Sequence, residues 1–234
     1  MLYEDFVYQS PLNIAKKLHR DDFVCLLGNG FGADVKSQSY NRYSFIALDP
    51  WAKIISRGDQ VWLNGVKHSQ NVHDLLESMQ KKYSFAKIKD LPDYQGGWIG
   101  VWHYDFAAII HDLPIKTVDQ GVNGYWLMFD LVIAFDHFAK KSWLISTGYP
   151  ELESDCRQQH AKQRLGWLKG ELAKRCDEES KKCSWHLAAE LSAEQYISQV
   201  KLAQRSILDG DLFEVNFTQK FFGKWQGESA WHLF

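Results

Sequence analysis

Arg42–His68, RYSFIALDPWAKIISRGDQVWLNGVKH, carries the fold most plainly. Arg42–Leu48 and Ala52–Ser56 are short runs of β-branched, aromatic and aliphatic residues, the composition of strands. Asp49-Pro50 breaks them apart, because proline has no amide donor and pushes the preceding residue away from helix. Val61–Leu63 and Val66–His68 flank Asn64-Gly65, a pair that tolerates the positive φ angles of a type I′ turn, so a two-residue hairpin is predicted. Links this short join antiparallel strands, since a parallel crossover takes a dozen residues or more.

Upstream, Ser10-Pro11 opens a helix to about His19, with Ser as N-cap and Pro at the first helical position. Phe23–Leu27 reads as a buried strand turning at Gly28-Asn29-Gly30, and Phe31–Ser39 as a loop. Downstream, Asn71 caps a helix to about Lys82 with Val72, Leu75, Leu76 and Met79 on one face. Gly96–Tyr104 (GGWIGVWHY) alternates like a strand. It lacks the Lys-Ser/Thr of a phosphate loop, so its glycines are read as allowing close packing beneath Trp98 and Trp102. Trp126–Phe135 and Ser142–Thr147 read as two more strands joined near 136–141. Glu151 to about Glu179 turns charged and helical, with Leu165, Leu168, Leu172 and Cys176 as a stripe packed on a sheet. Ser192 and Gln195 form a capping box for a helix carrying Tyr196, Val200, Ala203 and Ile207 on one face, ended by Gly210 in the left-handed C′ position. Leu212–Phe222 then reads as a half-buried strand, with Phe213, Val215, Phe217 and Phe221 on one face. It is expected to leave an apolar face or an unpaired edge. The fold class expected is α+β, mostly antiparallel sheets in a two-layer arrangement with a few covering helices. Residues 1–180 are expected as a β-rich domain, 181–191 as a linker and 192–234 as the incomplete start of a second domain.

With 45% hydrophobic and 24% charged residues among 234, the chain is globular. A net charge of −2 gives no reason to expect nucleic acid or an anionic membrane as a partner. The first ten residues are acidic and lack the apolar core of a signal peptide. The longest apolar stretch, Tyr125–Phe135, is interrupted by Asp130 and too short to span a bilayer. Cys25, Cys156, Cys176 and Cys183 are scattered without a CxxC pair, which points to a reducing compartment and a cytoplasmic location.

Ile207–Phe221 (ILDGDLFEVNFTQKF) carries a more specific signal. A helix followed by GDLFEVNFTQKF resembles the opening of the chorismate-binding domain of the component I synthases that make anthranilate or aminodeoxychorismate. In that family the run usually reads Gly-Asp, two residues, then Gln-Val-Asn. Asn41–Pro50 (NRYSFIALDP), Gly96–Asp105 (GGWIGVWHYD) and Phe129–His137 (FDLVIAFDH) resemble further family segments in the same order. The Asp136-His137 ending leans toward the aminodeoxychorismate branch, while Arg42-Tyr43-Ser44-Phe45-Ile46 leans toward the anthranilate branch. The likeness runs along the whole chain and covers the front half of the family's usual length. The chain is therefore expected to be the front part of something longer, inactive as written, the alternative being a stand-alone module that holds an amino acid or docks an amidotransferase without doing chemistry.

The resemblance implies a Mg²⁺-dependent attack of ammonia on chorismate, with the ammonia coming from a glutamine amidotransferase subunit and the product feeding p-aminobenzoate and folate synthesis. Mg²⁺ would neutralise charge on a dicarboxylate whose ring hydroxyl must leave. The family's metal ligands and catalytic Lys fall beyond Phe234, so no catalytic residue and no metal ligand is assigned here. Family members also bind tryptophan in the N-terminal β layer. By motif, Leu27, Asn29, Tyr40, Asn41, Arg42 and Tyr43 would line that pocket, although Asn29 stands where the family usually has Ser. The chorismate-domain motif maps to Gly210, Asp211, Glu214 and Asn216, with Glu214 replacing the usual Gln. On a strand, Asp211 and Glu214 would point to opposite faces, so they are not expected to share a metal. His103-Tyr104-Asp105 and Asp136-His137 are read as packing or turn residues.

Overall fold

The structure is a computed structural model describing residues 1–18, 24–28, 42–104, 106–107, 121–174 and 186–224. In chain order its elements are β1 (Leu2–Phe6), α1 (Pro11–Leu18), β2 (Val24–Leu27), β3 (Tyr43–Leu48), β4 (Ala52–Arg57), β5 (Gln60–Leu63), β6 (Val66–His68), α2 (Val72–Lys82), β7 (Gly97–Trp102), β8 (Gly124–Phe129), β9 (Leu131–Asp136), β10 (Lys141–Ser146), α3 (Ser154–Ala173), β11 (Ala188–Ala189), α4 (Ala193–Leu208) and β12 (Phe221–Phe222). The chain divides into two compact units, Met1–Cys176 and Asp177–Phe234.

The first unit holds two five-stranded antiparallel sheets, ordered β1-β10-β9-β3-β2 and β6-β5-β4-β8-β7. Their facing sides share one core: Ala47, Val132, Ala134, Trp143 and Ile145 from the first sheet meet Leu127 and Phe129 from the second. On the other side of the second sheet, α2 lays Val72, Leu75 and Met79 onto Ile54, Val61, Trp126 and Met128. On the other side of the first, α1 packs on β3 and α3 packs on β1, β10 and α1. Ala161, Leu165, Leu168 and Leu172 are the buried side of α3, so the described part of that stripe covers a sheet as read, and Cys176 lies outside the described residues. The α+β architecture of two β layers with covering helices is therefore what the chain adopts.

Local signals account for much of this. Asn64 and Gly65 take φ of 50° and 82°, as a type I′ turn requires. Asn71 caps α2 by accepting from the Asp74 amide at 2.9 Å. Gly100 is needed for contact: a Cβ there would run into the Trp126 indole, which lies across β7 and meets Trp102 edge-on at 4.6 Å. The ring that lies over Gly100 thus comes from β8, a neighbour the local pattern could not name.

The run Trp126–Phe135, read as one strand, is not one. It is β8 and β9, lying in different sheets and hinged at Asp130. β3 and β4 change sheets in the same way across Asp49-Pro50, and the two crossings are adjacent because β3 pairs with β9 and β4 with β8. Arg164 of α3 ties both corners. It donates through Nε and Nη2 to Asp130 at 3.1 and 2.9 Å, and through Nη1 and Nη2 to the Asp49 carboxylate and carbonyl at 2.5 and 3.0 Å. A carboxylate buried at a hinge needs such a partner, and Ser146 adds a donor at 3.2 Å. Burial raises the Asp130 pKa, and the hydrogen bonds from Arg164 act against that rise.

The second unit contains α4, whose capping box is formed by Ser192 and Gln195 as read. Its exit is a Schellman motif: the Gly210 amide donates to Ile207 at 3.2 Å and the Asp211 amide to Ser206 at 2.9 Å, with Gly210 at φ 83°. One expectation fails here. Leu212–Phe222 is strand only at Phe221–Phe222, paired with Ala188–Ala189 inside the stretch read as a linker; the Glu190 amide donates to the Lys220 carbonyl at 2.9 Å, and among the described residues 212–219 has no ladder partner. Phe213 is accordingly 96% exposed. In α4, Tyr196, Val200, Ala203 and Ile207 are not buried, and the Tyr196 ring meets Phe217 at 5.1 Å. Among the described residues, no helix is long and apolar enough to cross a membrane.

Candidate functional site

Of the six residues read as an amino-acid pocket, the three described, Leu27, Arg42 and Tyr43, lie on one rim of the first sheet. β2 ends at Leu27, which lies opposite Phe45, and β3 begins at Tyr43, opposite Asp136. Leu27 is 38% exposed. Arg42, just before β3, donates through Nε and Nη2 to Asp136 Oδ2 at 3.0 and 2.7 Å, and its guanidinium sits 4.8 Å from the Tyr43 ring centre. Asn29, Tyr40 and Asn41 lie outside the described residues. The structure thus brings Leu27, Arg42 and Tyr43 to the same end of β2 and β3.

Asp136 and His137, read from the sequence as packing or turn residues, brace this rim. The other Asp136 oxygen caps the following turn by accepting the Phe138 and Ala139 amides, both at 2.9 Å. Burial pushes the Asp136 carboxyl up, but Arg42 and these amides outweigh it and hold it below the ordinary carboxylate range. The His137 amide donates to the Arg42 carbonyl at 2.8 Å. Its ring is held at both nitrogens, by the Tyr8 hydroxyl on Nδ1 at 2.8 Å and the buried Ser44 hydroxyl on Nε2. Burial, aided by Lys140, lowers the His137 pKa.

Behind the rim lies an aromatic wall that motif reading missed. Tyr43 faces Phe45 at 6.5 Å, and Phe45 meets Tyr94 edge-on at 5.6 Å. Cys25, Phe45, Tyr94, Ile99 and Tyr125 pack half-buried against the inter-sheet core. Burial raises the pKa of Cys25, Tyr94 and Tyr125, so the wall is uncharged near neutrality. An uncharged wall with a cation at its lip suits a ligand with an apolar body and an anionic end. Period-two reading held the signal for Cys25 and Phe45, two residues from Leu27 and Tyr43. None existed for Tyr8, which is 129 residues from His137.

The second group, in the other unit, is not gathered into a site. Gly210 and Asp211 serve the helix exit through their amides, and Glu214 and Asn216 are exposed on irregular backbone. Among the described residues, no group of three or more His, Cys, Asp or Glu is placed to hold a metal ion, so Mg²⁺ fits no described set of side chains. Of His103, Tyr104 and Asp105, Tyr104 is 94% exposed, and Asp105 lies outside the described residues.

Comparison with known proteins agrees with the fold. The family model of chorismate binding enzymes matches residues 32–234. Aminodeoxychorismate synthase component 1 of Bacillus subtilis (strain 168) is 25% identical over 196 residues, covering 79% of this chain and 40% of that protein. The Klebsiella aerogenes protein of the same name is 24% identical over 238 residues, covering 97% and 47%. Anthranilate synthase component 1 of Acetivibrio thermocellus is 23% identical over 228 residues, covering 91% and 45%. The chain thus spans less than half the length of these relatives. In three dimensions it resembles anthranilate synthase component I from Streptococcus pneumoniae TIGR4, with a TM-score of 0.61 at 19% identity, over 82% of this chain and 44% of that one. With the family model matching most of its length, the chain belongs to the chorismate binding enzymes.

Proposed function

We propose that the protein containing this chain is an aminodeoxychorismate synthase component I, which replaces a ring hydroxyl of chorismate with the nitrogen of ammonia to give 4-amino-4-deoxychorismate for p-aminobenzoate and folate synthesis. Ammonia would come from a glutamine amidotransferase subunit, and Mg²⁺, when bound, would supply charge neutralisation and Lewis acidity at the departing hydroxyl. No described side chain is given a part in that step. The observation that carries the branch is Asp136-His137 at the end of β9, the Asp-His ending of the aminodeoxychorismate segment, here tied to Arg42. A cytoplasmic setting is proposed with it, in keeping with free thiols at Cys25 and Cys156.

Within the first unit, we propose that the rim of Leu27, Arg42 and Tyr43 binds an aromatic amino acid, tryptophan above all. The uncharged wall of Phe45, Tyr94 and Tyr125 would take the ring, and the cation would take the carboxylate. This makes the described part of the chain a binding layer rather than a reacting one.

The anthranilate branch is the second reading, favoured by Arg42-Tyr43-Ser44-Phe45-Ile46 and by relatives of that name. Chromatography with mass detection of the products formed from chorismate, ammonium and Mg²⁺ separates the two. The proposal expects a product that keeps the enolpyruvyl group, and anthranilate, which has lost it as pyruvate, would overturn the branch assignment.

A further inference from the structure

We infer that Asp136 and His137 are positioning residues that hold Arg42 as the carboxylate receptor of the amino-acid site, an inference that rests on the pocket reading above. A guanidinium has five N–H donors. Nε and one hydrogen of Nη2 go to Asp136 Oδ2, and the turn amides occupy Asp136 Oδ1, so the carboxylate is anchored on both oxygens. The Arg42 main chain is fixed as well, by the His137 amide. His137 is in turn clamped between Tyr8 and Ser44, which arrive from the segment after β1 and from β3. Lys140 lies over the Tyr8 ring at 5.0 Å and completes the charged groups around the clamp.

What remains is one edge of the guanidinium. Among the described residues, Nη1 and the second hydrogen of Nη2 take no partner, and the Arg42 side chain is 46% exposed. That edge is the one that grips a carboxylate with two parallel hydrogen bonds. The Tyr43 ring lies against the same guanidinium, and beyond it runs the wall of Phe45 and Tyr94. The arrangement offers an anion receptor and an aromatic surface side by side, which are the two ends of an aromatic amino acid. Asp136 and His137 bond to Arg42 through other atoms than Nη1, so their effect on a ligand runs through Arg42.

Calorimetric titration of the 234-residue chain with L-tryptophan and with L-tryptophanamide, whose carboxylate is blocked, tests this. The unaltered chain is expected to prefer tryptophan by roughly tenfold or more, as loss of a charge-assisted bond predicts. Asp136→Asn and His137→Ala should weaken tryptophan about tenfold and leave tryptophanamide within about twofold, while His137→Gln recovers part of the loss. Tyr8→Phe and Arg42→Lys alter side chains that are not fully buried and carry the test should the other variants fail to fold by circular dichroism. Each should narrow the preference between the two ligands. Equal losses for both ligands, or none, overturn the positioning role and leave the pocket standing. Absence of tryptophan binding by the unaltered chain overturns the pocket reading and this inference together.

Discussion

Arg164 shows how much one side chain carries in this fold. It is 15% exposed and bonded to Asp130, which is 1% exposed, so removing it strands a carboxylate in the protein interior. Arg164→Leu is expected to cost about 3–5 kcal/mol in urea unfolding, whereas the double change with Asp130→Asn should recover part of that loss. Asp136 makes a different prediction. Its pKa is depressed in the folded state, so it binds protons less readily there than in the unfolded chain. The stability it contributes is fully present above the ordinary carboxylate range and drains away as pH falls below about 4. Thermal melts from pH 7 to pH 3 should therefore show a steeper acid loss for the unaltered protein than for Asp136→Asn. Parallel curves would mean that Asp136 is not held ionised by Arg42.

Elements with local punctuation were legible from the sequence, and elements defined by distant partners were not. Asn64-Gly65, the Asn71 cap, the Ser192–Gln195 box and the Gly210 exit each depend on a few adjacent residues, and each is present. The β8–β9 corner escaped because a single Asp interrupts its apolar run, and the partners that let that Asp be buried, Ser146 and Arg164, lie 16 and 34 residues on. The rim of the proposed pocket was legible through Leu27, Arg42 and Tyr43. Its brace at Tyr8, Ser44 and His137 was not, since hydrogen bonds across 93 and 129 residues leave no pattern in sequence. The segment after Gly210 had the right alternation for a strand, but among the described residues 212–219 has no partner strand, which periodicity cannot supply. Two substitutions check the element-level account. Gly100→Ala should lower stability by about 1–3 kcal/mol and alter the near-ultraviolet signal of the Trp102–Trp126 pair. Ser192→Ala should cost α4 about 1 kcal/mol, read as lost helical circular dichroism.

At the scale of the molecule, burial is concentrated in the first unit. Ile46, Ile54, Leu127, Leu131, Ile133 and Ile145 are at most 1% exposed, each contributing roughly 1.5–3 kcal/mol, whereas α4 has no buried residue. Hydrogen exchange should follow this division, slowest in β3, β8 and β9 and fast along α4. Equal protection in both units would contradict it. Function is proposed to divide in a comparable way, with amino-acid binding assigned to the first unit and the chemistry to the whole protein. The direct test is to supply that protein with chorismate, Mg²⁺ and nitrogen-15-labelled ammonium and to follow the label by mass spectrometry. The account predicts label in 4-amino-4-deoxychorismate, and chorismate recovered unlabelled and unconverted would contradict it.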